Sequence, residues 1–370
     1  MTARASGWLK FAVLFGMLAG LPLAGVRLAG LPAARYFEFP PRTRYVAHAE
    51  FSWPVFGLLA ATIALALVPI AVKAVRGVRR NALPPAAAPG PFPWWGWAAG
   101  ALGLAAWVLA WTRMEWFAPV QPHTFSLLWL AYILTVNAWC LRRTGRSMLT
   151  HRPRFFLCLF PASALFWWFF EYLNRYVQNW YYAGPEFNAW QYFVFASLPF
   201  ATVLPAVLGT RELIASTARM QRALGRTRPL AGCNHPLLPW ALLAASAGGL
   251  AGIGVWPSVL FPLLWVAPLL IIVSLRRLLG EPHPLTPLTT TDWTRPASAA
   301  LAALVCGVFW EMWNCLSLAK WHYSIPYVHR FQIFEMPLLG YAGYLPFGLE
   351  CAAVGAMVEE FLGLDKSADA

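Results

Sequence analysis

Apolar runs long enough to cross a lipid bilayer follow one another along almost the whole chain, and no other feature restricts its fold as strongly. A helix needs about 20 apolar residues to cross ~30 Å of hydrocarbon. Ten segments approach or meet that need, at 8–29, 53–74, 94–112, 124–141, 155–174, 191–210, 238–256, 258–275, 298–316 and 335–356. In hydrocarbon each backbone amide must bond within its own helix or around a closed barrel. Composition agrees, with 12% charged residues against about 25% in soluble domains. The expected fold class is all-α, a polytopic transmembrane helical bundle of about ten spans.

Charge placement orients the bundle. A net charge of +13 would suggest nucleic acid in a soluble chain. Here the basic residues cluster in every second loop: Lys73–Arg80, Arg142–Arg154, Arg211–Arg228 and Arg276–Arg295. The positive-inside rule makes those loops cytoplasmic. About 20 of the 28 Lys and Arg then fall on that side, and no nucleic-acid partner is expected. The reading is a multi-pass protein of the cell inner (plasma) membrane with both termini cytoplasmic. Arg35, Arg42 and Arg44 in the outer loop 31–52 run against the trend.

The stretch 81–93, rich in Pro and Ala, reads as an extended cytoplasmic linker. It separates an N-terminal hairpin (1–80) from a duplicated region. Phe125, Leu127, Leu128, Trp129 and Ala131 recur as Phe261, Leu263, Leu264, Trp265 and Ala267. Glu171 and Asn174 recur as Glu311 and Asn314, and Trp180-x-Tyr182 as Trp321-x-Tyr323. Leu204-Pro205 recurs as Leu345-Pro346. The expectation is two four-span units, 94–229 and 230–370, the second ending in a cytoplasmic tail. An even number of spans makes them parallel repeats about an axis along the membrane normal.

An ionisable group within lipid is costly and needs a reason to remain. Glu171 and Asn174 share a helix face, as do Glu311 and Asn314. Pseudo-symmetry would join the two faces in the outer half of the bilayer, and paired carboxyls there suit general acid–base work or proton coupling. The structural alternative is interhelical hydrogen bonding. For Glu171 that alternative is favoured by Arg175, four residues on. Glu335, just before Pro337, is read as opening the last span and, with Glu311 and Glu171, as a candidate proton donor or acceptor. Glu350 sits in an apolar run one turn after Pro346, needs a partner, and is a further candidate substrate contact. Trp180, Tyr182, Trp321, His322 and Tyr323 are candidate substrate contacts or an interfacial aromatic belt.

Cofactor chemistry has little to stand on. The six cysteines show no paired spacing, and Cys233 with His235 is too small a set for a metal site. Nucleotide, zinc-protease and nucleophile-elbow motifs are absent. No metal and no cofactor are expected.

In the order of its motifs the repeat unit resembles the membrane-integral lycopene cyclases. An acid on one helix (Glu311, Glu171) is followed by Trp-x-Tyr (Trp321 and Tyr323, Trp180 and Tyr182), then by an acid at the next helix (Glu335). Two departures stand out: Phe334–Pro337 puts the acid before the proline, and Ser197-Leu198-Pro199 has no acid. The resemblance implies non-redox, acid-initiated chemistry on an isoprenoid, with aromatic faces steadying a carbocation. The expected function is action on a membrane-dissolved lipid or isoprenoid. A proton-coupled transporter and a non-catalytic assembly or sensing component are the alternatives, and the sequence leaves homo-oligomerisation open.

Overall fold

The apolar runs become helices because their backbone bonds close locally, and the punctuating residues set their ends. The structure, a computed structural model, describes Lys10 and residues 12–82, 89–229 and 235–364. The middle of the 81–93 linker, Cys233 and the tail beyond 364 lie outside the described residues. Among the described residues the α-helices of seven residues or more are α1 (Leu21–Leu28), α2 (Trp53–Arg80), α3 (Trp94–Trp111), α4 (Thr124–Thr144), α5 (Pro153–Val177), α6 (Ala189–Phe200), α7 (Val203–Ala215), α8 (Ala218–Leu224), α9 (Leu238–Gly252), α10 (Leu263–Leu278), α11 (Thr294–Cys315) and α12 (Tyr344–Phe361). Asn188 and Gln191 form a reciprocal capping box at α6. Gly145, at φ 72°, ends α4 in the left-handed conformation that glycine adopts without strain.

Each apolar run contains helix. Five stretches are long and apolar enough to cross a membrane by themselves: Trp53–Arg80, Gln121–Thr144, Pro153–Val177, Ala189–Ala215 and Thr294–Cys315. The protein is therefore a mostly helical membrane protein. The last run differs from expectation: its helix starts at Tyr344, not near residue 335. Residues 332–343 form instead a tight hairpin of β3 (Gln332–Ile333) and β4 (Met336–Pro337) and then a 3-10 turn. Phe334, at φ 57°, turns that hairpin, and Pro337 cannot donate to a helical ladder.

Packing centres on α7, α11 and α12. Helix α3 lies on α4, α4 on α7, α5 on α7, and α11 bridges to α7. In the second half α9 lies on α10, α10 on α12, α11 on α12, and α5 bridges to α12. Taken in chain order, each contact of the first set has its counterpart in the second. Between them lies a core of aromatic side chains, with Trp129, Phe170 and Phe347 essentially inaccessible. Helix α1 closes on α9, where Gly25 meets the Ala251 carbonyl. Helix α2 rests on α8, and none of its most apolar stretch is buried.

Two ends of the bundle differ in chemistry. At one, buried Arg276 pairs with Glu360 and reaches Glu281 (3.7 Å), while Lys10 bonds Glu281 at 2.6 Å. Arg152 meets Glu359 at 2.5 Å at the same end. At the other, β1 (Trp180–Ala183) pairs antiparallel with β2 (Lys320–Tyr323). Its register couples Trp180 to Tyr323, Tyr181 to His322 and Tyr182 to Trp321. This ribbon departs from an all-helix fold and joins the ends of α5 and α11.

Candidate functional site

Helix α5 rises 1.5 Å per residue, so Glu171 stands about 25 Å from the arginines at its start. Its carboxyl is held from one side. Oε1 accepts from Trp167 Nε1 (3.1 Å), Trp180 Nε1 (3.0 Å) and Tyr182 OH (2.5 Å). Among the described residues nothing donates to Oε2, and Glu171 lines a cavity of ≈ 520 Å³. A proton carried by this acid therefore belongs on Oε2, the oxygen that accepts no hydrogen bond among the described residues. Asn174, one turn on, ties the following chain: Nδ2 donates to Trp180 O (2.9 Å), and Oδ1 accepts from Asn179 N (2.8 Å).

The surroundings of Glu311 are similar, with two differences: its second donor is Tyr344 rather than a tryptophan of its own helix, and Trp321 bonds a tyrosine hydroxyl rather than the acid. Asn314 Nδ2 donates to Trp321 O (2.8 Å), and its Oδ1 accepts from Trp321 N (2.8 Å). Glu311 Oε1 accepts from Tyr323 OH (2.7 Å) and Tyr344 OH (2.7 Å), and Trp321 Nε1 donates to the Tyr323 hydroxyl (2.8 Å). The position matching Trp167 is Gly307, and a Cβ there would lie 2.4 Å from the Tyr344 ring. The position matching Tyr344 is Val203, which lines the cavity. Each acid thus has one further donor, and the helix that supplies it differs: Trp167 on α5 for Glu171 and Tyr344 on α12 for Glu311. Glu311 is fully buried behind Tyr323 and Tyr344, both of which face the cavity.

The walls are aromatic, with Trp265 5.5 Å from Trp180 and Trp310 5.9 Å from Tyr344 between ring centres. Arg42, Arg44 and Lys320 stand on the rim. Segment 31–52 forms part of that rim, which gives its arginines structural tasks. Arg35 lies over the Tyr36 and Tyr45 rings, and Arg44 over Tyr181. His48 ties Val177 O (2.8 Å) to the Ser324 hydroxyl (3.0 Å).

Of the sequence candidates, Glu171, Asn174, Trp180, Tyr182, Trp321 and Tyr323 line one cavity. Glu311 reaches it through its tyrosines, and Asn314 is a buried tie for β2. Glu335 and His322 are not among the cavity-lining residues. Glu335 is in the β3–β4 turn rather than at a helix start, paired with Lys320 (2.8 Å) and His322 Nδ1 (3.1 Å). Burial pushes its carboxyl up, but the bonds and charges of Lys320 and His322 together hold it below the usual glutamate range. Glu350 is fully buried away from the cavity, and Oε1 accepts from Leu269 N (3.0 Å) just after Pro268. Arg175 pairs with Glu38 (3.3 Å) and donates to Arg35 O, not to Glu171. Sequence reasoning missed Trp167 and Tyr344. Trp167 carried a faint signal, one turn before the acid; Tyr344 carried none.

No group of three or more His, Cys, Asp or Glu placed to hold a metal occurs among the described residues. No protein-family model, curated protein or solved structure matches the chain.

Proposed function

We propose that this protein is an enzyme that protonates a membrane-dissolved lipid or isoprenoid, with Glu171 as the acid. One observation carries the reading: a carboxyl that accepts three hydrogen bonds on one oxygen and, among the described residues, none on the other belongs to a residue lining an aromatic cavity. Oε2–H gives its proton to a carbon–carbon double bond, leaving a carbocation. The faces of Trp180, Trp265 and Trp310 steady that cation. A second double bond of the same chain closes on it, and loss of a neighbouring proton back to Oε2 ends the cycle with an isomer and a restored acid. No electrons are exchanged. This is the chemistry that the resemblance to the membrane-integral lycopene cyclases implies, with Trp180 and Tyr182 as positioning residues that hold Oε1. Glu311 positions Tyr323 and Tyr344 in the cavity wall.

The same proposal includes the architecture. A hairpin of two spans precedes two parallel units of four, ten spans in all, in the inner membrane with both termini cytoplasmic. In its support, the β1–β2 register maps onto itself when the two copies are exchanged, pivoting on Tyr181 and His322. An antiparallel pair of equivalent strands is what a two-fold axis along the membrane normal produces.

The test compares lipid extracts of cells with and without the protein by mass spectrometry. A product isomeric with its precursor is expected. General acids contribute ~10²–10⁴-fold, so Glu171→Gln should cut the product at least a hundredfold while the protein stays folded in the membrane. Unchanged lipid structures with an altered distribution between leaflets would replace this reading with transport.

A further inference from the structure

The cavity rim carries charge that acid chemistry does not use. Backbone 40–44 lines the mouth and is pinned from below. Gln178 Nε2 donates to Thr43 O (2.8 Å), and its Oε1 accepts from Tyr45 N (2.8 Å) and Val46 N (2.9 Å). Glu38 accepts from Thr43 N (3.0 Å) and Oγ1 (2.8 Å). The arginines of this segment are therefore held on a fixed backbone.

Two other rim cations already have carboxylates, Arg175 with Glu38 and Lys320 with Glu335. Arg42 and Arg44 have none within ion-pair distance among the described residues. Arg42 uses one N–H on Phe187 O (3.1 Å). Arg44 stands 4.1 Å over the Tyr181 ring, and none of its N–H groups has an acceptor among the described residues. Glu186, exposed on the same rim, is one carboxylate against two guanidiniums. Below them the walls turn aromatic. The guanidinium fork matches phosphate oxygens, often two bonds at a time, and a volume of ≈ 520 Å³ is of ordinary ligand-pocket size.

We infer that the lipid taken by this site is a phosphorylated amphiphile, its phosphate head between Arg42 and Arg44 and its apolar chain along the aromatic walls toward Glu171. The inference rests on the lipid-site reading above but concerns binding, so it is measured without turnover.

The experiment is equilibrium binding of radiolabelled farnesyl phosphate and farnesol to the full chain in nanodiscs, with inorganic phosphate as competitor. Farnesyl phosphate should bind at least tenfold more tightly than farnesol, and millimolar inorganic phosphate should not displace it. The double variant Arg42→Gln, Arg44→Gln should lose that preference. Arg42→Lys with Arg44→Lys, which keeps charge but not the fork, should retain part of it. Equal binding of the alcohol and its phosphate would overturn the head-group inference and leave the lipid site standing. Displacement by inorganic phosphate would make this a free-anion site and overturn it too. Binding of neither ligand would remove both readings.

Discussion

At the scale of single residues, a carboxyl is defined by what each oxygen meets. Glu171 and Glu311 repeat one sequence pattern, yet Glu171 lines the cavity and Glu311 is buried behind Tyr323 and Tyr344. Glu335 shows a third case, on the surface. Its pKa is held below the unfolded value by Lys320 and His322, so the stabilisation is present above about pH 4.3, the unfolded glutamate value. It is lost as pH falls through the lower folded value. Hydrogen exchange should show residues 320–337 protected at pH 7 and loosened near pH 3. Glu335→Gln should loosen them at pH 7, by no more than about 1 kcal/mol, as for other surface pairs. Equal protection of the variant at both pH values would show that the ion pairs contribute nothing there. Glu171, Asn174, Trp180 and Tyr182 were legible because helical spacing and repetition both select them. The fate of Arg175 was not: its partner Glu38 arrives from a loop far away in sequence, and local spacing could name only Glu171. Tyr344 was invisible for the same reason, reaching Glu311 from another helix.

Between elements, small residues and broken helices set the geometry of the site. Gly348 lets α12 touch α11, where a Cβ would fall 2.1 Å from the Ala299 carbonyl. The break between α6 and α7 is spliced by Ser163, whose hydroxyl donates to Phe200 O (2.6 Å) and accepts from Leu204 N (3.0 Å). Glu350 does similar work at Pro268, accepting an amide on α10, so its burial has a structural reason that the sequence did not supply. Gly307 is the seat of Tyr344. Gly307→Ala should push that ring away from Glu311, lowering the thermal midpoint by an amount equivalent to about 1–3 kcal/mol and reducing product formation with it. Gly100→Ala, where nothing lies within 4 Å of the added Cβ, should instead hold or gain up to about 1 kcal/mol. Unfolding in detergent followed by Trp fluorescence reads both, and a harmless Gly307→Ala would show that the close fit is not needed. The sequence located helices well, since hydrophobic length marks them. It misplaced the start of α12 because Met336–Gly343 is apolar enough to extend a hydropathy run while Pro337 and the Phe334 turn bend it into a hairpin.

For the whole molecule, the question is which side of the membrane each end faces. Arginines crowd the end where Arg152 meets Glu359 and Arg276 meets Glu360, while the ribbon and the cavity mouth occupy the other. A basic end favours the cytoplasm because translocating Lys and Arg is disfavoured. The three arginines in segment 31–52 weaken that argument only if they are free to choose a side. Arg35 and Arg44 are engaged with tyrosine rings and Arg42 with the Phe187 carbonyl, so their position answers to local packing. Helix α5 is 25 residues long and separates the two ends by itself. Exposed Arg146 precedes it and exposed Glu186 follows it. With a membrane-impermeant maleimide, Glu186→Cys should be labelled in intact cells or spheroplasts, and Arg146→Cys only after permeabilisation, each compared with the parent chain. Reversed labelling would invert the bundle and move the cavity mouth to the cytoplasm. Labelling of both from one side would mean that α5 does not cross, and an acid on α5 would then have no membrane-depth cavity in which to act.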